Sequence, residues 1–191
     1  PIIEHPLLRH QLMKIMVPTE QALSMSLFAA SMMAESDAGS EEAAGALRIL
    51  TPLIKFRACR DNLSVATSAM EVRGGNGYIE EWVNARLVRD AHIGVLWEGT
   101  SNINAVDVVG RAVGRAGAHK ALSLVIRRRL EKATALPQSL SSKLRTVMDR
   151  AILFAESVAA DARLESQARR AASALYHATS AILLAAEGSA N

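Results

Sequence analysis

The most informative stretch of the chain, residues 71–102, reads EVRGGNGYIEEWVNARLVRDAHIGVLWEGTSN. A glycine cluster near its start permits positive φ angles and close approach of the backbone to another group. An R..RD pattern follows, and the stretch ends shortly after a Glu-Gly-Thr triplet. Apolar residues recur at helical spacing on both sides of it, which predicts that helices flank and position this segment.

The residues before this segment predict two long helical stretches. The first begins near Pro6, a residue suited to a first helical turn, and Pro18 predicts a kink or a break within it. Ser40 can cap the next helix, because its hydroxyl can accept a bond from a free backbone N–H. Pro52 falls inside that helix, so either Thr51 caps a fresh helix or the helix bends there.

Within and just after the segment the pattern is more broken. Residues 81–92 predict a short helix, and the apolar residues 92–97 are compatible with an extended strand-like run. Gly99 ends that run. Thr100 or Ser101 can then cap a helix that continues to about Gly114.

The last part of the chain predicts three further helices. The first covers residues 118–133, a polar linker with Pro137 covers residues 134–142, and two continuous apolar stripes follow. Aromatic residues make up only 4% of the chain while half of it is apolar, a balance that favours close-packed helices over a β-sandwich. We therefore predict an all-α fold.

Composition excludes several other classes of protein. The net charge of +3 is mild, and alone it does not argue for nucleic acid. The single cysteine rules out an internal disulfide and favours a reducing compartment, so we expect a cytoplasmic protein. No apolar run is long enough to span a bilayer, and the histidines and the cysteine show no metal-ligand spacing.

The segment resembles the signature of the acyl-CoA dehydrogenases, and the resemblance extends over residues 1–115. It is closest to the branch that includes the bacterial alkylation-response flavoproteins, which share MEV before the glycines and WEG at the glutamate. The resemblance implies the C-terminal helical bundle of that family at residues 1–115, here without its first helix, followed by a helical extension at residues 116–191. The matching residues are Gly74, Gly75, Gly77, Tyr78, Glu81, Arg86, Arg89, Asp90, Glu98, Gly99 and Thr100.

The resemblance also implies an activity in fatty acid metabolism. The family removes the α-proton of an acyl-CoA thioester while the β-hydrogen leaves as hydride to FAD, which requires a carboxylate made more basic by burial. Carried over, this makes Glu98 the catalytic base, with Trp97 and Gly99 at the substrate. A few branches of the family place the base on an earlier helix, which this sequence does not contain.

Cofactor contacts follow from the same resemblance. Thr100 and Asn102 match positions that approach the flavin nucleotide, and Gly74 and Gly75 match the place where one subunit approaches the flavin pyrophosphate of its neighbour. Glu71 stands where the family usually has Gln, which argues against a pyrophosphate contact by that side chain. The segments that supply most flavin contacts in the family are absent from this sequence, so we expect these residues alone to hold FAD poorly and to be inactive.

Partners and alternatives complete the expectations. The resemblance implies acyl-CoA as substrate, an electron-transferring flavoprotein as a candidate partner, and a homodimer or homotetramer. A basic cluster is either a solvated helix face or a phosphate-binding patch for DNA or the CoA nucleotide. The alternatives are therefore a DNA-associated flavoprotein and a helical oligomerisation module without catalysis. We also expect an i, i+4 ion pair between Arg86 and Asp90. The basic cluster consists of Arg127, Arg128, Arg129 and Lys132, echoed by Arg169 and Arg170.

Overall fold

The computed structural model describes residues 2–190, and their regular structure is helical, without a strand. The predicted all-α class is confirmed. Short 3-10 turns lie at Ile2–Glu4 and Ala162–Gln167. The α-helices are α1 (Pro6–Asp37), α2 (Glu41–Val72), α3 (Gly75–Tyr78), α4 (Asn84–Ile93), α5 (Ser101–Val106), α6 (Ala118–Lys132), α7 (Gln138–Ala160) and α8 (Ala168–Gly188).

Helices α1 and α2 form a long antiparallel pair. The Gln11 side chain near the start of α1 donates to Glu71 near the end of α2, at 3.2 Å. At the turn between the two helices, the Ser40 hydroxyl accepts from the Ala43 N–H at 3.2 Å, so the predicted cap is confirmed. The two helices pack along their length, and the buried side chains of α1 include Met25 and Phe28.

The prolines do not interrupt these helices. A break at Pro18 and a fresh helix capped by Thr51 were both open from the sequence, and both are wrong: α1 and α2 continue through their prolines. The Thr51 hydroxyl instead donates to the Leu47 carbonyl one turn earlier, at 3.0 Å. Pro52 is buried in the core, so tertiary contacts offset the missing backbone hydrogen bond.

The predicted extended run at residues 92–97 is also wrong. Helix α4 continues to Ile93, and successive turns follow, in which the N–H groups of Leu96 and Trp97 both bond the Ile93 carbonyl. An apolar run this short does not distinguish strand from turn by its pattern. The helix predicted through Gly114 is present, but after Val106 it widens into a π-helix at Asp107–Arg115.

The three C-terminal helices are confirmed, with a linker that ends earlier than expected because α7 begins at Gln138. Gln21 bonds Ser180 and Ser24 bonds Glu187, at 3.0 and 2.6 Å, so α8 runs parallel to α1 and antiparallel to α2. Buried side chains of α2, α6, α7 and α8 belong to a common hydrophobic cluster, which joins residues on both sides of position 115.

None of the described helices has the length and hydropathy needed to cross a membrane. Several large apolar side chains of α1 stay exposed to solvent. Among them are Leu7, Leu23, Leu27 and Met33.

Candidate active site around Glu98

Glu98 has an unusual backbone conformation. It lies in the turn between α4 and α5 with a φ angle of +50°, the only positive φ of a non-glycine residue among those described. Gly99 follows with a φ of +98°. A left-handed conformation costs a side-chain-bearing residue roughly 1–2 kcal/mol, and such strain is concentrated at functional sites. The turn therefore holds the backbone of Glu98 in a conformation that an unconstrained chain would avoid.

Asn104 stabilises this turn. Its side-chain amide donates to the Gly99 carbonyl at 2.8 Å and to the Thr100 carbonyl at 3.1 Å. A Cβ on Gly99 would lie 3.2 Å from the same amide nitrogen, so the glycine leaves room for the contact. Sequence reasoning missed Asn104, although an amide one turn inside a predicted helix after Glu-Gly-Thr was a usable signal.

We predict that Asn104→Ala lowers the free energy of unfolding by about 1–2 kcal/mol, because both hydrogen bonds to the turn are lost. Urea unfolding of the 191-residue chain measures this. Asn102→Ala is the matched control, since that exposed side chain makes no hydrogen bond with a described residue and its loss should cost less than about 0.5 kcal/mol. Equal losses in the two variants would contradict the role assigned to Asn104.

Lys55 of α2 joins the preceding turn to the bundle. Its ammonium donates to the Gly94 carbonyl at 2.6 Å and lies 5.3 Å from the centre of the Trp97 ring. That distance allows a cation–π attraction. Trp97, predicted to lie at the substrate, is thereby held beside Glu98 while 56% of its surface remains exposed.

A cleft of about 690 Å³ opens beside Glu98. One wall comes from α2 and includes Leu47, Thr51 and Lys55. Arg48, also on α2, donates from both terminal nitrogens to Asp107 across the cleft, at 3.0 and 3.1 Å, so its charge is paired. The volume lies within the range of about 300–1,000 Å³ usual for small-molecule sites.

The described residues do not enclose Glu98. Its side chain is exposed, so the dry pocket that the chemistry requires is not formed by these residues alone. Three apolar side chains close to Glu98 in sequence are also open to solvent, a surface suited to being covered. Their exposed fractions are 57% for Ile93, 61% for Leu96 and 64% for Ile103.

The structure separates the two sets of predicted cofactor residues. Ser101, between Thr100 and Asn102, accepts from Arg60 at 3.3 Å, whereas Gly74 and Gly75 follow the end of α2. Arg60 and Gly74 are 14 residues apart in sequence, or about 20 Å at the rise of an α-helix. One chain therefore does not bring both sets to the same point.

The glycine pair itself is accessible. Gly74 has a φ of +59°, and a Cβ added to Gly74 or Gly75 would meet no atom within 4 Å. The neighbouring Glu71 carboxylate accepts the hydrogen bond from Gln11. This exposed backbone corner therefore leaves room for another molecule to approach.

The R..RD motif forms a different ion pair from the one predicted. Arg89 binds both oxygens of the Glu80 carboxylate, at 2.8 and 3.3 Å. This hydrogen bonding raises the pKa of Arg89 and lowers the pKa of Glu80. No ion pair within 4.0 Å joins Arg86 and Asp90 among the described residues. Both side chains are exposed, so hydration competes with an i, i+4 pair.

Most of the predicted basic cluster is already engaged. Arg127 pairs with Asp149, and Arg128 pairs with Glu42 at 2.6 Å. The guanidinium of Arg129 lies 5.8 Å from the centre of the Phe28 ring. The two ion pairs reduce the positive charge available to a phosphate backbone, whereas Arg129 keeps its charge.

The fold and the turn define a helical-bundle domain that presents a glutamate beside an open cleft. The sequence model described as "Acyl-CoA dehydrogenase, C-terminal domain" matches residues 1–114. The chain belongs to the acyl-CoA dehydrogenase family, as its signature predicted. Its relatives of known name are accordingly oxidoreductases.

Individual relatives agree with this membership. The chain is 36% identical over 123 residues to Escherichia coli AidB, named as an acyl-CoA dehydrogenase, covering 64% of this chain and 22% of that protein. It is 34% identical over 125 residues to 3-methylmercaptopropionyl-CoA dehydrogenase of Ruegeria pomeroyi, covering 63% and 21%. The chain therefore spans about a fifth of the length of these relatives.

Solved structures show the same fold. Caenorhabditis elegans ACDH-11 in complex with C11-CoA superposes with a TM-score of 0.74 at 26% identity, over 97% of this chain and 33% of that one. The apo form of Bd2924 gives a TM-score of 0.75 at 23% identity, over 97% and 34%. Both superpositions include the C-terminal helices as well as the region matched by the family model.

Proposed function

We propose that this chain is the C-terminal part of an FAD-dependent acyl-CoA dehydrogenase in which Glu98 removes the α-proton of the acyl thioester. The left-handed backbone at Glu98 is the observation that carries the proposal. Glu98 lies beside a cleft in a strained backbone conformation, and Asn104 stabilises the turn through the Gly99 carbonyl. Such strain is expected where a side chain must be positioned for acid–base chemistry, whereas an ordinary helix cap does not require it.

The chain's own residues define the chemistry at this turn. The Glu98 carboxylate accepts the proton from the α-carbon, and its backbone N–H donates to the thioester oxygen, where negative charge develops. Bound FAD supplies the acceptor for the hydride that leaves the β-carbon. Ile93, Leu96 and Trp97 exclude water once the site is covered, which strengthens the carboxylate as a base.

The residues proposed to hold FAD fit the approach of a nucleotide. Thr100 makes no side-chain cap bond, and the Asn102 amide has no hydrogen-bond partner among the described residues, so both can bond a ligand. Gly74 and Gly75 have an open backbone and lie about 20 Å along α2 from Arg60, the residue that contacts Ser101. We propose that they contact the FAD of a second copy, which makes the complete site an oligomer.

Anaerobic titration of the full-length protein tests this function. Saturated acyl-CoA thioesters of increasing length should bleach the oxidised flavin absorbance, because hydride transfer reduces the flavin. The chain length that gives the fastest bleaching identifies the preferred substrate. A flavin that dithionite reduces, and that no saturated acyl-CoA reduces, would contradict the proposal.

The DNA alternative receives no support from the basic cluster defined in the sequence. The ion pairs of Arg127 with Asp149 and of Arg128 with Glu42 offset two of the charges on which it relied. We therefore propose no second function on that surface. Electron-transferring flavoprotein remains the proposed acceptor of electrons from the reduced enzyme.

A further inference from the structure

A second group of cations lies between α2 and α8, away from the predicted basic cluster. Arg57 and Arg60 are one turn apart on α2 and therefore share a face. Arg57 donates to the Ser173 hydroxyl of α8 at 3.4 Å, and Arg60 donates to the Ser101 hydroxyl of α5 at 3.3 Å. Both arginines are half-buried at the junction of these helices.

Helix register brings Arg169 to the same point. Arg169 precedes Ser173 by one turn on α8, so the two side chains share a face. Arg57 contacts Ser173, and α8 runs antiparallel to α2. One turn towards the start of α8, from Ser173 to Arg169, therefore leads in the same direction as one turn towards the end of α2, from Arg57 to Arg60. The electrostatic effect of Arg169 on Arg60 agrees with this placement. We call Arg57, Arg60 and Arg169 the α2–α8 arginine cluster.

Positive charge in this cluster is only partly neutralised. Asp61 pairs with Arg57 at 2.7 Å, and its side chain is largely buried. Neither Arg60 nor Arg169 has a carboxylate within 4.0 Å among the described residues. Burial, followed by repulsion from Arg169 and Arg57, lowers the pKa of Arg60. Their mutual repulsion costs free energy that an anion bound beside them would relieve, and Arg169 is exposed and can reach such an anion from solvent.

We propose that the α2–α8 arginine cluster, with the hydroxyls of Ser101 and Ser173, binds a phosphate-type anion, either free or carried by a nucleotide. Guanidinium groups match phosphate oxygens in geometry and charge. Ser101 and Ser173 accept bonds from the arginines, so each keeps its own O–H to donate to the anion. Three cations, one carboxylate and two hydroxyls thus define an anion site.

This site goes beyond the proposed dehydrogenase and does not depend on Glu98. The side chain of Ser101 faces Arg60 on α2. Asn102 is the next residue of the same helix, and adjacent residues on a helix do not share a face. The side chain of Asn102, proposed to contact the flavin, therefore points elsewhere. Loss of acyl-CoA oxidation would leave anion binding intact, and the reverse also holds.

Calorimetric titration of the 191-residue chain at low salt tests the proposal, with inorganic pyrophosphate, ADP, adenosine and duplex DNA as probes. We expect pyrophosphate and ADP to bind and adenosine not to bind. Equal affinities for pyrophosphate and ADP identify the anion alone as the ligand, and tighter ADP binding identifies a nucleotide. Absence of pyrophosphate binding, or binding of duplex DNA without pyrophosphate binding, would overturn the proposal.

Variants assign the binding to these residues. Arg60→Gln and Arg169→Gln should each weaken pyrophosphate binding about tenfold or more, as for lost charge-assisted hydrogen bonds. Arg170→Gln is the matched control: it removes the same charge one residue away, where the side chain bonds Gln167, and should change affinity less than about twofold. A melt of each variant without ligand checks folding, and Arg60→Gln should be at least as stable as the parent. Equal weakening in all three variants would overturn the site.

Discussion

Glu98→Gln in the flavin-loaded full-length protein should slow flavin reduction by acyl-CoA about a thousandfold, the scale expected for loss of a positioned general base. The amide keeps the size of the side chain and cannot accept the α-proton. The left-handed turn and the Asn104 bonds to Gly99 and Thr100 remain, so flavin content and acyl-CoA affinity should change little. Anaerobic stopped-flow absorbance measures the rate.

Glu81→Gln is the matched control for this experiment. Glu81 belongs to the same segment, is exposed, and has no ion pair with a described residue. Its loss should leave the reduction rate within about twofold, as for an ordinary surface substitution. If the Glu98→Gln enzyme reduces its flavin at nearly the parent rate, another residue must be the base.

Gly77→Ala should be the most damaging substitution in the glycine cluster. A Cβ at this position would lie 2.1 Å from the Met70 carbonyl oxygen and 2.9 Å from the Met70 carbonyl carbon. Backbone atoms at the end of α2 cannot rotate away as a side chain can, so the helix end must shift. We expect a loss of about 3 kcal/mol in the free energy of unfolding, and a Tm lower by about 10 °C.

Gly75→Ala is the control, because a Cβ there would meet no atom within 4 Å. It should change stability by less than about 0.5 kcal/mol. Urea unfolding and thermal melting of the 191-residue chain measure both variants. Similar stability of Gly77→Ala and Gly75→Ala would contradict this account, because it would show that the Met70 backbone shifts at little cost in free energy. The two glycines therefore have separable roles, one in the fold and one proposed at the flavin.

Local sequence patterns were sufficient to predict that the fold is helical. The period of the apolar residues predicted α6, α7 and α8, and Ser40 followed by acidic residues predicted the start of α2. The family was recognisable from residues 74–100 because many chemically constrained positions occur there in a fixed order. Gly77 belongs to that signature for a steric reason that only the structure shows.

Long-range packing explains what the sequence did not predict. Pro18 and Pro52 look like helix breakers, yet the contacts between α1 and α2 hold both helices intact. The R..RD motif pairs Arg89 with Glu80, outside α4, and the pair predicted between Arg86 and Asp90 does not form among the described residues. Arg57 and Arg169 are more than 100 positions apart, so only the antiparallel packing of α2 and α8 reveals that they share a site.

Exchange at the α-carbon tests the role of Glu98 most directly. The full-length protein is incubated anaerobically with acyl-CoA deuterated at the α-carbon, and mass spectrometry follows loss of the label to solvent. We predict that the parent protein washes out the α-deuterium and that Glu98→Gln, loaded with flavin and acyl-CoA, retains it. Undiminished washout by Glu98→Gln would show that another group removes the α-proton.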